Sequence, residues 1–408
     1  MSSAPTKGKS PYAIVIGLDT LNGIQTVRIL ARHRIPLIAI AKDSTHHGCR
    51  TRLCEQIIFT NTASTDLIQT LVSLGPKLKQ KAVLYPCADM NVMLISRHRQ
   101  ELEPWYHVVL PAAEVIETLM NKLNFYAYAQ QNGFPIPQTR FINTYEDAQR
   151  AAAELTFPCV LKPPMSAIPE WEKNSKLKAY KLAGPADLLQ FFERSKAWAK
   201  DLIVQEWIEG SDSELYSCNC YFNAQFEPVV TFVARKLRQW PPVTGESSLG
   251  EECRDEVVLN ETLRLFRCSQ LRGLGYVEIK RSVRSGKYFI IEPNIGRPTG
   301  RSPIAEAGGV ELLYTMYCDA LGLPLPQNLE QNYKGVKWID LRRDIQSALF
   351  HFREGDLTLK GWWKSVQGKK AHALFAWNDP GPFFGDLVRA VRLYMVPEER
   401  SRRDYRNL

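Results

Sequence analysis

The first 110 residues alternate short apolar runs with stretches of helical spacing, and this alternation constrains the fold more than any other feature. Residues 12–16 form a continuous apolar run, 17–23 a turn, 24–33 a stretch with helical spacing, and 37–41 a second strand-like run. Residues 57–59, 82–84 and 107–110 repeat the strand pattern, with helical patterns between them. Apolar strands separated by helices predict a parallel sheet with helices on both faces. The turn Gly17-Leu-Asp-Thr-Leu-Asn-Gly23 lacks the Gly-x-Gly-x-x-Gly spacing of a dinucleotide loop, so no NAD site is expected. Asp19 and Asn22 either contact substrate or cap the helix after the turn, and capping is the simpler reading.

A new unit is expected from residue 119. Residues 121–132 read as a helix ended by Gly133, and Phe134-Pro-Ile-Pro137 then forces extended chain. Strands are expected at 140–142, 159–162 and 179–182, and a helix at 185–194. A strand-rich block follows, with strands at 202–207, 214–222, 228–234, 275–280 and 288–292, and a helix at 260–272. A further helix is expected over 304–322, a linker at 323–332 where Pro, Asn and Gln accumulate, and a smaller unit from Val336.

The most informative chemistry lies in one hairpin. Gly275-Tyr-Val-Glu-Ile-Lys280 and Lys287-Tyr-Phe-Ile-Ile-Glu292-Pro-Asn294 are otherwise apolar strands joined by the polar turn 281–286. Each carries one carboxylate, Glu278 and Glu292, and Asn294 adds an amide oxygen on the face of Glu292. Two carboxylates and an amide oxygen suit magnesium, which takes hard oxygen ligands and leaves positions for phosphate. The alternative is a pair of solvent-facing strand residues. Gly296-Arg-Pro-Thr-Gly-Arg301 places cations and backbone donors next to them, which favours the ligand reading. Lys162 closes the buried run Phe157-Pro-Cys-Val-Leu-Lys162 before Pro163-Pro164, and Lys122 opens a helix. Both suit phosphate oxygens as point charges, although either alone reads more simply as a surface lysine, and Lys162 is the less ordinary of the two. The segment 202–214 is an apolar strand entering a polar hinge. It is a simple strand–turn–strand or a place where backbone reads an adenine edge while Asp212 or Glu214 takes ribose hydroxyls.

In this order these segments resemble the ATP-grasp superfamily over residues 12–322, and within it uncharacterised carboxylate–amine ligases. The resemblance rests on Asn121-Lys122 before Gly133-Phe-Pro-Ile-Pro137, on Lys162, on the hinge at 205–208, on Glu278 and on Glu292-Pro-Asn294. It implies an α/β fold: a Rossmann-like pre-ATP-grasp domain over 1–118, an ATP-grasp domain over 119–325 with subdomains 119–197 and 198–325, and a C-terminal extension over 326–408. It implies that Lys122 and Lys162 contact ATP phosphates and that Glu206 and Ile208 reach adenine through their backbone, with Trp207 beside them; Lys178 is the lysine expected to substitute for the phosphate loop that this sequence lacks. It further implies that Glu214 binds ribose and that Glu278, Glu292 and Asn294 hold Mg²⁺, or Mn²⁺ in its place. Arg297, with Arg235 or Lys280, would stabilise an acyl phosphate formed from a small-molecule carboxylate before an amine attacks it, and a homodimer through the first domain would be in keeping. One departure is clear: no glycine lies between Lys162 and Gly184, where many relatives have a glycine-rich phosphate loop. That departure keeps open a nucleotide-binding regulator without turnover, and a small-molecule kinase is a second alternative.

Composition limits the partners. The net charge of +9 is spread along the chain and carries no nucleic-acid module, so a phosphate-handling site is expected in preference to a nucleic-acid partner. The basic, aromatic stretch Arg235-Lys-Leu-Arg-Gln-Trp240 reads as part of that site or as a solvated loop. Nine scattered cysteines make no four-ligand zinc spacing and are expected to be reduced, as in a cytosolic protein. The polar residues 1–10 contain no apolar leader, and no run reaches the ~20 residues of a membrane span. The apolar and basic stretch 383–395 would lie on a membrane surface or, more simply, pack on its own protein.

Overall fold

The computed structural model describes residues 10–164, 169–175, 179–242 and 245–395. Three sheets carry the architecture. The first holds β1 (Ala13–Ile16), β2 (Leu37–Ala41), β3 (Gln56–Phe59), β4 (Ala82–Pro86) and β5 (Tyr106–His107) in the order β3-β2-β1-β4-β5. Each neighbouring pair is parallel. β1, β2 and β4 are buried on both faces, which is why they read as unbroken apolar runs. The helix Leu21–Arg32 follows β1. Its cap is Thr20, whose side chain accepts from the Gly23 amide at 3.1 Å. Asp19 instead accepts from the amides of Lys42 and Asp43, and Asn22 donates to the Cys87 carbonyl, so neither residue caps the helix.

The second sheet, β6-β9-β7-β8, is antiparallel and comprises β6 (Thr139–Ile142), β7 (Cys159–Lys162), β8 (Tyr180–Leu182) and β9 (Leu202–Glu206). Helices Tyr145–Glu154 and Pro185–Ser195 supply Ala148, Ala151, Leu188 and Phe192 to its core.

The third sheet runs β14-β13-β10-β11-β12-β15-β16. Its members are β10 (Leu215–Phe222), β11 (Pro228–Trp240), β12 (Glu246–Glu252), β13 (Gly273–Arg281), β14 (Tyr288–Ile295), β15 (Lys337–Ile339) and β16 (Lys370–His372). β11 continues to Trp240, beyond the expected end at 234, because its polar half finds partners. Arg238 makes two hydrogen bonds to Asp344 at 2.8 and 2.9 Å in a pair only 7% and 0% exposed. The polar strand β12 was not expected at all; Arg235 bonds its Glu251, and β15 pairs along its other edge. The helix Glu256–Cys268 starts four residues before the expected position because Asp255 caps it, accepting from Val258 N at 3.0 Å. The expected helix over 304–322 is two helices, Pro303–Gly308 and Leu312–Ala320, divided at Gly309, whose φ of 91° suits glycine and stops the first.

The residues from Val336 onward add β15 and β16 to the sheet edge, and Trp338 is 1% exposed in the core. Helix Gly381–Met395 lies against the turn His47–Arg50, where a Cβ on Gly381 would stand 2.5 Å from the Arg50 carbonyl oxygen. An Arg342–Asp386 pair fixes it, while Phe384, Leu387, Val388 and Val391 remain exposed. No helix among the described residues is long and apolar enough to cross a membrane.

Candidate active site

Glu278 and Glu292 stand directly opposite each other on β13 and β14, with a register irregularity just after Glu278. Two residues on, Asn294 lies on the same strand face as Glu292 and accepts from Arg297 Nη2 at 2.7 Å. The Arg297 guanidinium also bonds Tyr276 Oη at 3.2 Å and pairs with Asp89 of the first sheet domain. Burial opposes its charge, but Tyr276 and Asp89 outweigh burial and hold the group protonated above its ordinary range. Arg301 donates to Glu278 Oε1 at 3.3 Å. Burial alone would push the Glu292 carboxyl up. Lys122, Lys162 and Arg297, with a hydrogen bond from Asn294, more than offset it and hold this carboxyl below the usual range.

The two lysines converge from different elements. Asn121 caps the helix Lys122–Gln131 by accepting from the Leu123 amide at 2.9 Å, and this points Lys122 Nζ to 3.7 Å from Glu292 Oε2. Lys162 ends β7 with Nζ donating to Tyr126 Oη at 2.8 Å and Gln205 Oε1 at 3.0 Å. Both partners are neutral, so burial dominates and pulls the ammonium down to about 8, with Glu292 opposing. Tyr126 and Gln205, which hold this lysine, were not legible from the sequence, because each belongs to a different secondary element.

Strand alternation corrects one expected residue. Glu278, Ser217 and Ala234 form one cross-strand row. Lys236, two residues beyond Ala234, therefore shares the Glu278 face, and Arg235 points the other way to Glu251 at 2.8 Å. Lys236 is 4% exposed and lines the cavity, whereas Arg235 does not. Counting by twos from the neighbouring strands was the signal that could have found it. Lys280 is on the Glu278 face but is spent on the carbonyls of Gly210 and Ser211, both at 2.8 Å, so it braces the hinge and stands apart from the carboxylates.

The hinge residues occupy a separate position. The amides of Glu206 and Trp207 donate to the carbonyls of Gln138 and Pro158, and Lys181 stacks on the Trp207 ring at 4.9 Å. Ile208 is 7% exposed, and Glu214 faces Arg281 at 3.7 Å. None of these four lines the cavity that holds the carboxylates. Lys178 and residues 165–168 lie outside the described residues.

That cavity measures about 1000 Å³ and is walled by residues drawn from Thr20 to Arg343. Asn22 and Asp89 come from the first sheet domain, Lys122 and Lys162 from the second unit, and Lys236, Glu278, Glu292, Asn294 and Arg301 from the large sheet and its loop. Trp338 and Arg343 close it from the C-terminal residues. No cluster of three or more His, Cys, Asp or Glu side chains suited to a metal occurs among the described residues. The set at the hairpin is two carboxylates and an amide oxygen, the kind that holds magnesium when phosphate oxygens complete the shell. Around it, cations outnumber carboxylates, an arrangement that suits a polyanion.

No family model matches the sequence. D-aspartate ligase of Enterococcus faecium (strain Aus0004) is 24% identical over 250 residues, 58% of each chain. A formate-dependent phosphoribosylglycinamide formyltransferase of a Nitratiruptor species is 34% identical over 105 residues, 25% of each. The chain thus spans little more than half the length of the first relative and a quarter of the second. Among solved structures, the ADP complex of an N5-carboxyaminoimidazole ribonucleotide synthetase superposes with a TM-score of 0.63 at 14% identity, covering 84% of this chain and 85% of the other. The L-amino acid ligase from Bacillus licheniformis gives 0.59 at 12%, covering 81% and 79%. Over about four-fifths of its length, this chain shares its fold with these solved synthetase and ligase structures.

Proposed function

We propose that the chain is an ATP-dependent carboxylate–amine ligase. The observation that carries this reading is the convergence of Glu278, Glu292 and Asn294 with Lys122, Lys162 and Arg297 on one cavity. Glu278, Glu292 and Asn294 would hold Mg²⁺, which when bound neutralises charge on the phosphates. Lys122 and Lys162, with Lys178, take phosphate oxygens. The Glu206–Ile208 backbone and Glu214 receive adenine and ribose once the hinge adjusts. A substrate carboxylate oxygen attacks the γ-phosphorus, the bond to the bridging oxygen breaks, and ADP leaves. Arg297 stabilises the resulting acyl phosphate. The amine nitrogen then attacks the acyl carbon, the C–O bond to phosphate breaks, inorganic phosphate departs and the nitrogen loses its proton to solvent. Catalysis of this type rests on positioning and electrostatics, and the arginine is aimed for it by Asp89 and Tyr276.

D-aspartate ligase and L-amino acid ligase support the reaction class by similarity. The test is ADP release over a panel of acids and amines, with mass detection of product. Glu292→Ala is expected to lower ADP release by about a hundredfold or more while the chain stays folded. Full activity in that variant would remove the hairpin from the mechanism. A hydroxamate formed on adding hydroxylamine identifies an acyl phosphate, and a stable phosphate ester would identify a kinase instead. Stoichiometric ATP binding without any ADP release would favour a regulator.

A further inference from the structure

One corner of the cavity is used neither by the phosphate lysines nor by Arg297, and it meets the hairpin carboxylates only through Arg301 and Glu278. Lys236 on β11 pairs in register with Gly250 on β12, and Gly250 with Trp338 on β15. The three therefore lie in one row on one face of the sheet. Adjacent strands stand about 4.8 Å apart, so Lys236 and Trp338 flank a gap of roughly 9–10 Å floored by a residue without a side chain. A Cβ built on Gly250 would stand 3.8 Å from Arg301 Cδ, which places the Arg301 side chain against this row.

The polar groups here have unspent capacity. Lys236, 4% exposed, donates at 3.1 Å to the neutral amide oxygen of Gln239, which Asp212 holds from behind. Arg301, 7% exposed, has its ion pair with Glu278, a carboxylate of the hairpin set. Trp338 is 1% exposed, lines the cavity, and its indole Nε1–H has no hydrogen-bond partner. A buried donor without a partner is costly and calls for an acceptor. When Glu278 turns to a metal ion, Arg301 and Lys236 become two buried cations without a carboxylate between them.

We infer that this corner is a subsite for a second carboxylate on the acid substrate, so that the acid is a dicarboxylate. One carboxylate reacts next to Arg297, while the other is held by Lys236 and Arg301 and accepts from Trp338 Nε1. The guanidinium and the indole N–H are directional donors matched to a planar carboxylate. This inference rests on the ligase reading and deepens it by naming the class of acid.

The experiment is isothermal titration of the full chain, preloaded with MgADP, with succinate, D- and L-aspartate, and D- and L-glutamate against acetate and D- and L-alanine. At least one dicarboxylate is expected to bind about tenfold or more tighter than every monocarboxylate. Lys236→Met and Trp338→Phe are each expected to weaken it about tenfold while MgADP affinity is unchanged. Trp338→Phe keeps the packed ring and removes only the donor, and so separates binding from folding. Monocarboxylates binding as tightly, dicarboxylate binding that survives both variants, or no dicarboxylate binding at all would each overturn the subsite. Dicarboxylate binding that is lost in both variants, with no ADP released from ATP for any amine, would uphold the subsite and refute the ligase reading.

Discussion

The proton on Lys162 gives the most direct handle on the proposed phosphate site. Burial next to neutral Tyr126 and Gln205 draws its ammonium down to about 8. The protonated fraction then falls from about nine-tenths at pH 7 to about one-tenth at pH 9. If the charged form is what grips phosphate, ATP affinity should weaken about tenfold over that range, ~1.4 kcal/mol. Binding above pH 8 should take up a proton, which titration in buffers of different ionisation enthalpy measures directly. Lys162→Arg keeps its charge throughout and should flatten the profile. Lys162→Met should be flat and weak at every pH. The stability of the free chain should move the opposite way. The folded-state value lies below the ordinary lysine value of about 10.4, so the unfolded chain binds more protons between the two, and stability contributed by this group rises as pH climbs through that window. An ATP affinity that stays level from pH 7 to 9 in the wild type, or declines equally in Lys162→Arg, would refute the assignment of Lys162 to phosphate.

Asp344→Ala should cost about 3–5 kcal/mol by denaturant unfolding, because it leaves Arg238 buried and unpaired, whereas the double change with Arg238→Met should cost less. Burial, reinforced by Glu311, lifts the Glu306 carboxyl to about 8. The folded chain therefore binds this proton more tightly, and stability should fall as pH rises from about 4.3 to 8. Glu306→Gln should flatten that part of the profile of Tm against pH.

How much was legible depended on where each element's stabilising partner lies. The bounds of β2 and β7 were read as they are found, because an apolar run between turn residues carries its own evidence. The Glu-x-Asn hairpin was equally visible, since carboxylates in apolar strands are costly without a role. β12, with the sequence Glu-Ser-Ser-Leu-Gly-Glu-Glu, escaped because its own residues are polar and what makes it a strand is Arg235 on the preceding strand and the backbone of β15, which is remote in sequence. Arg235 was preferred over Lys236 because the basic stretch was read as a patch, and only the pairing of Ser217 with both Glu278 and Ala234 reveals which residue faces inward. Asp255 could have been read as a cap from its type and position, which would have moved the next helix to its true start.

Asp89, Lys162, Glu292 and Arg343 border one chamber although they are distributed across most of the chain. During synthesis, no emerging fragment short of Arg343 has every wall of this chamber. A nascent chain can thus bury its first parallel sheet early and yet have no complete pocket until Arg343 has emerged.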